Sequence, residues 1–66
     1  MKIWIARDKD NRLYLYQYKP QKDVDVFKTE SYLSCWQIPF TEFPEVTFEN
    51  SPMEVELKLI DNGNNG

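Results

Sequence analysis

The sequence predicts a small all-β domain, and three observations carry that reading. Near the N-terminus two apolar runs flank the stretch Asp8-Lys9-Asp10-Asn11, the arrangement of a β-hairpin closed by turn-forming residues. From Met53 onward apolar and charged residues alternate, as they do on a strand with one buried and one wet face. Between these ends no helical stripe of useful length occurs, and Pro39, Pro44 and Pro52 interrupt the segment that could have held one.

Each element follows from local residue chemistry. Lys2 to Asp8 reads as a strand with Ile3 and Ile5 on one face and Trp4 and Ala6 on the other. Both faces are partly apolar, so the strand is expected to be central. Asp and Asn then favour a turn, because they bond their own backbone and tolerate positive φ. The second strand runs from Arg12 to about Lys19. Leu13 and Leu15 line one side, and Tyr14, Tyr16 and Tyr18 form a row on the other that can pair across the hairpin with Trp4. Pro20 ends it, lacking a ladder donor.

Residues 20–31 fit two states: a short strand edge around Val24, Val26 and Phe27, or a long loop anchored by them. A structureless loop of that length is uncommon unless functional. Tyr32 to Ile38 reads as a third strand, with Tyr32, Trp36 and Ile38 on one face and Leu33 and Cys35 on the other. Residues 41–45 suggest one irregular helical turn with Thr41 as cap, kept short by Pro44. Val46-Thr47-Phe48 is short and extended, and Asn50-Ser51-Pro52 is a turn. In the last strand Met53, Val55, Leu57 and Leu59 point one way and Glu54, Glu56 and Lys58 the other. The expected organisation is a single domain over 1–60 with a disordered tail over 61–66. About four strands make an antiparallel meander, which can curl into a partly open SH3-like or OB-like barrel.

A chain of 66 residues holds one domain and buries only about 60% of the surface its unfolded form exposes. Cys35 is the only cysteine and histidine is absent, which closes off an internal disulfide and a zinc site. Stability must then come from its ten aromatic residues, from oligomerisation, or from both. A lone cysteine suits a reducing compartment, and no charged-then-apolar leader opens the chain. The longest apolar runs fall far short of the ~20 residues that span a bilayer. The expectation is a cytoplasmic protein with no membrane contact.

The net charge of −3 is unevenly spread. Residues 1–38 carry seven basic and five acidic side chains, whereas residues 39–66 set Lys58 against Glu42, Glu45, Glu49, Glu54, Glu56 and Asp61. Such an acidic half opposes phosphate-backbone binding, which draws on Lys and Arg. It suits a basic partner, although a solvated acidic face that aids solubility is the plainer reading.

Catalytic chemistry is hard to assemble. Without histidine the commonest general base and every His-based triad are missing. Gly63 and Gly66, the only glycines, lie in the tail, so no phosphate-cradling loop forms. Cys35 falls inside a strand, the setting of an inert core cysteine; a nucleophilic thiol needs a lowered pKa. The carboxylate pairs Asp8/Asp10, Asp23/Asp25 and Glu54/Glu56 can each face one way. Turn chemistry accounts for the first and a solvated strand face for the last. Asp8 to Arg12 hints at a calcium loop, but that loop's glycine and closing glutamate are missing. The chain is therefore expected to be no enzyme and to hold no cofactor or metal. The tyrosine row beside Arg7, Arg12 and Lys19 is the one feature with a functional option. It could stack bases of a single strand, form core, or meet another protein.

The stretches Lys2-Ile-Trp-Ile-Ala-Arg-Asp-Lys-Asp-Asn-Arg-Leu-Tyr-Leu-Tyr16 and Phe43-Pro-Glu-Val-Thr-Phe-Glu-Asn-Ser-Pro-Met-Glu-Val-Glu-Leu57, with Lys19-Pro20, resemble a group of short proteins of gut anaerobic bacteria and their phages and prophages. The resemblance covers both ends of the chain and little of residues 20–37. Asn11 stands where a turn glycine is expected. The group has no known activity, so the resemblance implies only context, that of a small accessory protein from mobile DNA.

The leading expectation is accordingly an accessory domain that acts by binding another protein or a second copy of itself. Its candidate contact residues are Trp4, Tyr14, Tyr16, Tyr18, Glu54 and Glu56. One alternative is a phage-encoded inhibitor of host defence that presents its acidic surface to a basic nucleic-acid-binding site. The other is a binder of single-stranded nucleic acid or nucleotide that uses the tyrosine row.

Overall fold

Asn11 is where the chain first reverses. In the computed structural model, which describes residues 1–58, it takes φ 82°, a left-handed conformation that its short polar side chain tolerates. The Asp8 N–H donates to the Arg12 carbonyl at 2.8 Å, and the Asn11 N–H donates back to the Asp8 carbonyl at 2.9 Å. The Asp10 carboxylate accepts the Arg12 N–H at 3.0 Å. These bonds close the expected hairpin between β1 (Lys2–Arg7) and β2 (Leu13–Tyr16), with Trp4 opposite Tyr16 and Ile5 opposite Leu15.

β1 is central, as its two-sided apolar pattern predicts. It pairs on its other side with β6 (Met53–Glu56), while β2 pairs with β5 (Cys35–Ile38); all three pairings are antiparallel. The sheet order is β5-β2-β1-β6. Three strands thus run as the expected meander, and the fourth returns beside the first, the order of a Greek key. The outer strands β5 and β6 do not meet, so the sheet is open and no barrel closes.

The ambiguous residues 20–31 form a second, two-stranded sheet of β3 (Gln21–Lys22) and β4 (Phe27–Lys28). Its tip is closed by the Asp23 N–H donating to the Val26 carbonyl at 2.8 Å. Val24 and Val26 are exposed and only Phe27 is buried, so one of the three supposed anchors carries the packing. Two bonds tie this hairpin to the first: Lys9 N–H to the Asp25 carbonyl at 2.9 Å and Phe27 N–H to the Asp8 carboxylate at 3.0 Å.

Several expected boundaries shift. The last strand, expected to run from Met53 to Ile60, ends at Glu56, and Leu57 and Lys58 lie outside it. β2 stops at Tyr16 rather than Lys19 and is followed by a bend. The third main strand begins at Cys35 because Tyr32–Ser34 forms a 3-10 turn. Ser31 drives that turn: its hydroxyl accepts the Leu33 N–H and its carbonyl accepts the Ser34 hydroxyl, a local bonding pattern that competes with a strand. Leu33 consequently does not share the face of Cys35 and stands 90% exposed. The helical turn expected at 41–45 is replaced by two tight turns, Glu42 N–H to the Pro39 carbonyl at 3.0 Å and Val46 N–H to the Phe43 carbonyl at 2.9 Å. Val46-Thr47-Phe48 leads into a third turn, in which Thr47 and Asn50 bond reciprocally at 2.8 and 3.1 Å, instead of an extended segment. Leu59, Ile60 and the 61–66 tail lie outside the described residues.

Both sheet faces carry core. On one, Ile5, Leu13 and Val46 are buried, with Leu15, Ile38, Met53 and Val55 packed around them. On the other, Ala6, Tyr16 and Phe27 are buried beneath Trp4, Tyr14, Cys35 and Phe48. Phe27 and Phe48 meet edge to face at 5.7 Å, a favoured aromatic geometry.

Arg7 joins the irregular segment 39–50 to this sheet. It is only 7% exposed. Its Nε donates to the Val46 carbonyl at 2.6 Å, Nη1 to the Asn11 and Phe40 carbonyls at 3.0 and 2.9 Å, and Nη2 to the Glu42 and Phe43 carbonyls at 3.0 Å each. The Asn11 side-chain oxygen adds a contact at 3.2 Å. The guanidinium fork has five N–H donors in a plane, and all have acceptors here. Phe43 holds a positive φ of 50°, costly for a bulky residue, and its carbonyl serves both Arg7 and Val46. Arg7→Lys keeps the charge but supplies three donors in place of five. It is expected to lower stability by about 2–4 kcal/mol, most of what a domain of this size has, measured as a shift in the urea unfolding midpoint.

Candidate functional site

Five of the six candidate contact residues share one face of the sheet. β1 and β2 place Trp4 opposite Tyr16 and Ala6 opposite Tyr14, while β1 and β6 place Trp4 opposite Glu54 and Lys2 opposite Glu56. Tyr18 lies past the end of β2 and is 66% exposed, outside the row. Tyr16 is 2% exposed and part of the core, with Tyr14 and Trp4 half-buried beside it. The predicted row is therefore graded from core to surface, because Phe27 of the second hairpin covers its middle.

Two of the chain's own lysines lie over aromatic rings of this face. The Lys19 ammonium sits 5.3 Å from the Trp4 ring centre, and the Lys22 ammonium 4.3 Å from Phe48 and 5.9 Å from Phe27, all within cation–π range. Arg7, which the sequence sets beside the tyrosines in the nucleic-acid reading, is buried instead.

A cleft of about 500 Å³ is lined by Asp8, Tyr14, Tyr16, Val26, Phe27, Lys28, Thr29 and Cys35. Cys35 is half-buried on edge strand β5, not enclosed as a core cysteine would be. Burial pushes its thiol pKa up, partly offset by a hydrogen bond with Tyr16. Burial likewise pushes up the Tyr16 hydroxyl. The Asp8 carboxyl is raised by desolvation, against the lowering effect of the Phe27 N–H. All three shifts favour the neutral form, which is opposite to what an activated thiolate requires. The cleft thus combines the aromatic side chains of Tyr14, Tyr16 and Phe27 with the ionisable Asp8 and Lys28, and holds no activated thiolate.

The other aspartates of the carboxylate pairs are absorbed in structure. Asp10 pairs with Arg12 at 3.3 Å, Asp25 with Lys9 at 3.6 Å and Asp23 with Lys28 at 2.8 Å. Among the described residues no group of three or more Cys, His, Asp or Glu side chains is placed to hold a metal ion, and no helix is long and apolar enough to cross a membrane. Glu54 and Glu56 are exposed on β6 and form no ion pair among the described residues.

The opposite face holds residues not foreseen as contacts. Trp36 lies across from Leu15, and Ile38 across from Leu13. Val46 covers this face where Ile5 and Leu13 lie. Beyond it Ile3, Leu15 and Val55 are only half-buried, and Met1, Trp36 and Leu57 are exposed, Trp36 to 51%. Leu33 and Phe40, flanking β5, are exposed as well. The alternation of Trp36 and Ile38 gave the face correctly. Nothing in the sequence marked β5 as the outer strand, which is what leaves the indole uncovered. No protein-family model, curated protein or solved structure matches this chain.

The raised Asp8 pKa has a pH consequence. The folded protein binds this proton more tightly than the unfolded chain, whose value is near 3.8. Its ionisation therefore removes stability as pH rises from about that value through the folded pKa. In Asp8→Asn, which retains an acceptor for the Phe27 N–H, this decline is expected to flatten. Urea unfolding of both proteins across the acid range measures the difference.

Proposed function

We propose that this chain is a non-enzymatic protein-binding domain whose contact surface is the open part of the Trp36 face. The exposed indole of Trp36, next to half-buried Leu15 and flanked by exposed Leu33 and Phe40, carries the reading. A domain with so little core gains by burying large aromatics, so a tryptophan held half in water on a sheet face fits a surface that a partner completes. The absence of histidine and the pKa shifts in the Cys35 cleft support the non-enzymatic part. Quantitative mass spectrometry of material retained by the wild type and by Trp36→Ala in the native host tests it. Retained proteins should be lost by the variant and kept by Glu49→Gln; identical sets from wild type and Trp36→Ala would sink the reading.

A second reading rests on Glu54 and Glu56, both exposed and without ion-pair partners among the described residues. They suit docking onto a basic surface. With the resemblance to proteins of gut anaerobes and their phages as context, that surface would belong to a nucleic-acid-binding host defence protein. Binding to such a target should weaken steeply with salt and vanish in the Glu54→Lys/Glu56→Lys double variant. Salt-independent binding in a titration series would exclude this mode.

A further inference from the structure

We infer that the outer edge of β5 is a contact between two copies of this chain, joining their sheets into one. The inference rests on the protein-binding reading and names its partner. β5 is the last strand of the sheet order, paired only on its β2 side among the described residues. Its outer backbone groups are thus a template for another strand, which soluble proteins ordinarily guard with charge, proline or bulges. The two edges differ in this respect. β6 carries Glu54 and Glu56, and two such edges brought together would set carboxylates side by side. β5 reads Cys35-Trp36-Gln37-Ile38, with no charge and no proline, so it can meet itself without electrostatic cost.

Symmetry narrows the register. A twofold axis perpendicular to an antiparallel pair requires one residue to sit opposite itself, because paired residues share a face. Centring on Trp36 would draw in Ser34, which belongs to the 3-10 turn. Centring on Gln37 pairs Trp36 with Ile38, both within β5, and leaves only Cys35 opposite a residue past the strand's end, Pro39. Each Trp36 then faces the second copy's Ile38, an aromatic–β-branched pair of the kind that stabilises sheets, and the exposed Gln37 amides of the two copies can bond on the opposite face. The half-open apolar surfaces around Leu15 become continuous across the axis. The dimer also stabilises a chain whose single cysteine allows no internal disulfide, since association favours the folded form by mass action.

Sedimentation equilibrium of the full chain from micromolar to millimolar concentration tests this, with thermal unfolding followed alongside. The expected result is a mass that moves from one chain to two, and a Tm that rises with concentration. Trp36→Lys and Gln37→Lys, both at exposed positions, should remain monomeric at every concentration with unchanged far-UV circular dichroism; Glu54→Lys should dimerise like the wild type. A dimer that persists in a folded Gln37→Lys protein would overturn the inference. So would a wild type that stays monomeric at millimolar concentration. If Trp36-dependent capture of another protein survived in that case, the binding reading would stand and only the self-contact would fall.

Discussion

The Arg7 guanidinium joins the first hairpin turn to the irregular segment 39–50. Segment 39–50 contains no regular secondary structure, so the carbonyls of its turns cannot be satisfied by a ladder. Arg7 takes that role for Phe40, Glu42, Phe43 and Val46 at once, and binds the hairpin turn at Asn11 with the same nitrogen that reaches Phe40. A buried charge normally costs several kcal/mol unless it is matched. Here no carboxylate among the described residues pairs with it; a ring of carbonyl dipoles does the matching. The backbone N–H of the same residue donates to the Ser51 hydroxyl at 3.0 Å, which ties the entry to β6 to the same point. Val46 reaches the core and β6 returns beside β1 because this crossing is fixed.

A second polar pin, Asp8, acts on the opposite face. Its carboxylate holds Phe27 at the start of β4, and Phe27 in turn covers Tyr16. Two consecutive residues at the end of β1, one cationic and one acidic, therefore secure the two irregular segments on the two sides of a single sheet. This arrangement suits a chain too short to build two layers of regular structure. It leaves little redundancy, and each pin is buried and hydrogen-bonded instead of exposed to a screening solvent.

The same shortage of material explains the surface. Four strands with two partial covers cannot bury every large apolar side chain, and the shortfall falls on the Trp36 face beyond Val46. Acidic side chains line one outer strand and are missing from the other. A sheet with one guarded and one unguarded edge has a direction in which it can grow, and the indole lies on that side.

The residues alone determined a good deal. Period-two alternation located β1, β2 and β6 and the faces of the residues within them, though it ran β2 and β6 too far, taking in Tyr18 and Leu57; the Asp/Asn run located the first turn, because these signals act between near neighbours. The absence of histidine, and of glycine outside the tail, limits the available chemistry through composition alone. What only the tertiary structure decided depends on contacts between residues distant in sequence. Arg7 reads as one more surface cation until five backbone carbonyls converge on it. The tyrosine row reads as a stripe until Phe27, from a segment with two equally good readings, covers its centre. Trp36 has the same alternation whether its strand is inner or outer, and strand order is set by long-range pairing that no local pattern encodes.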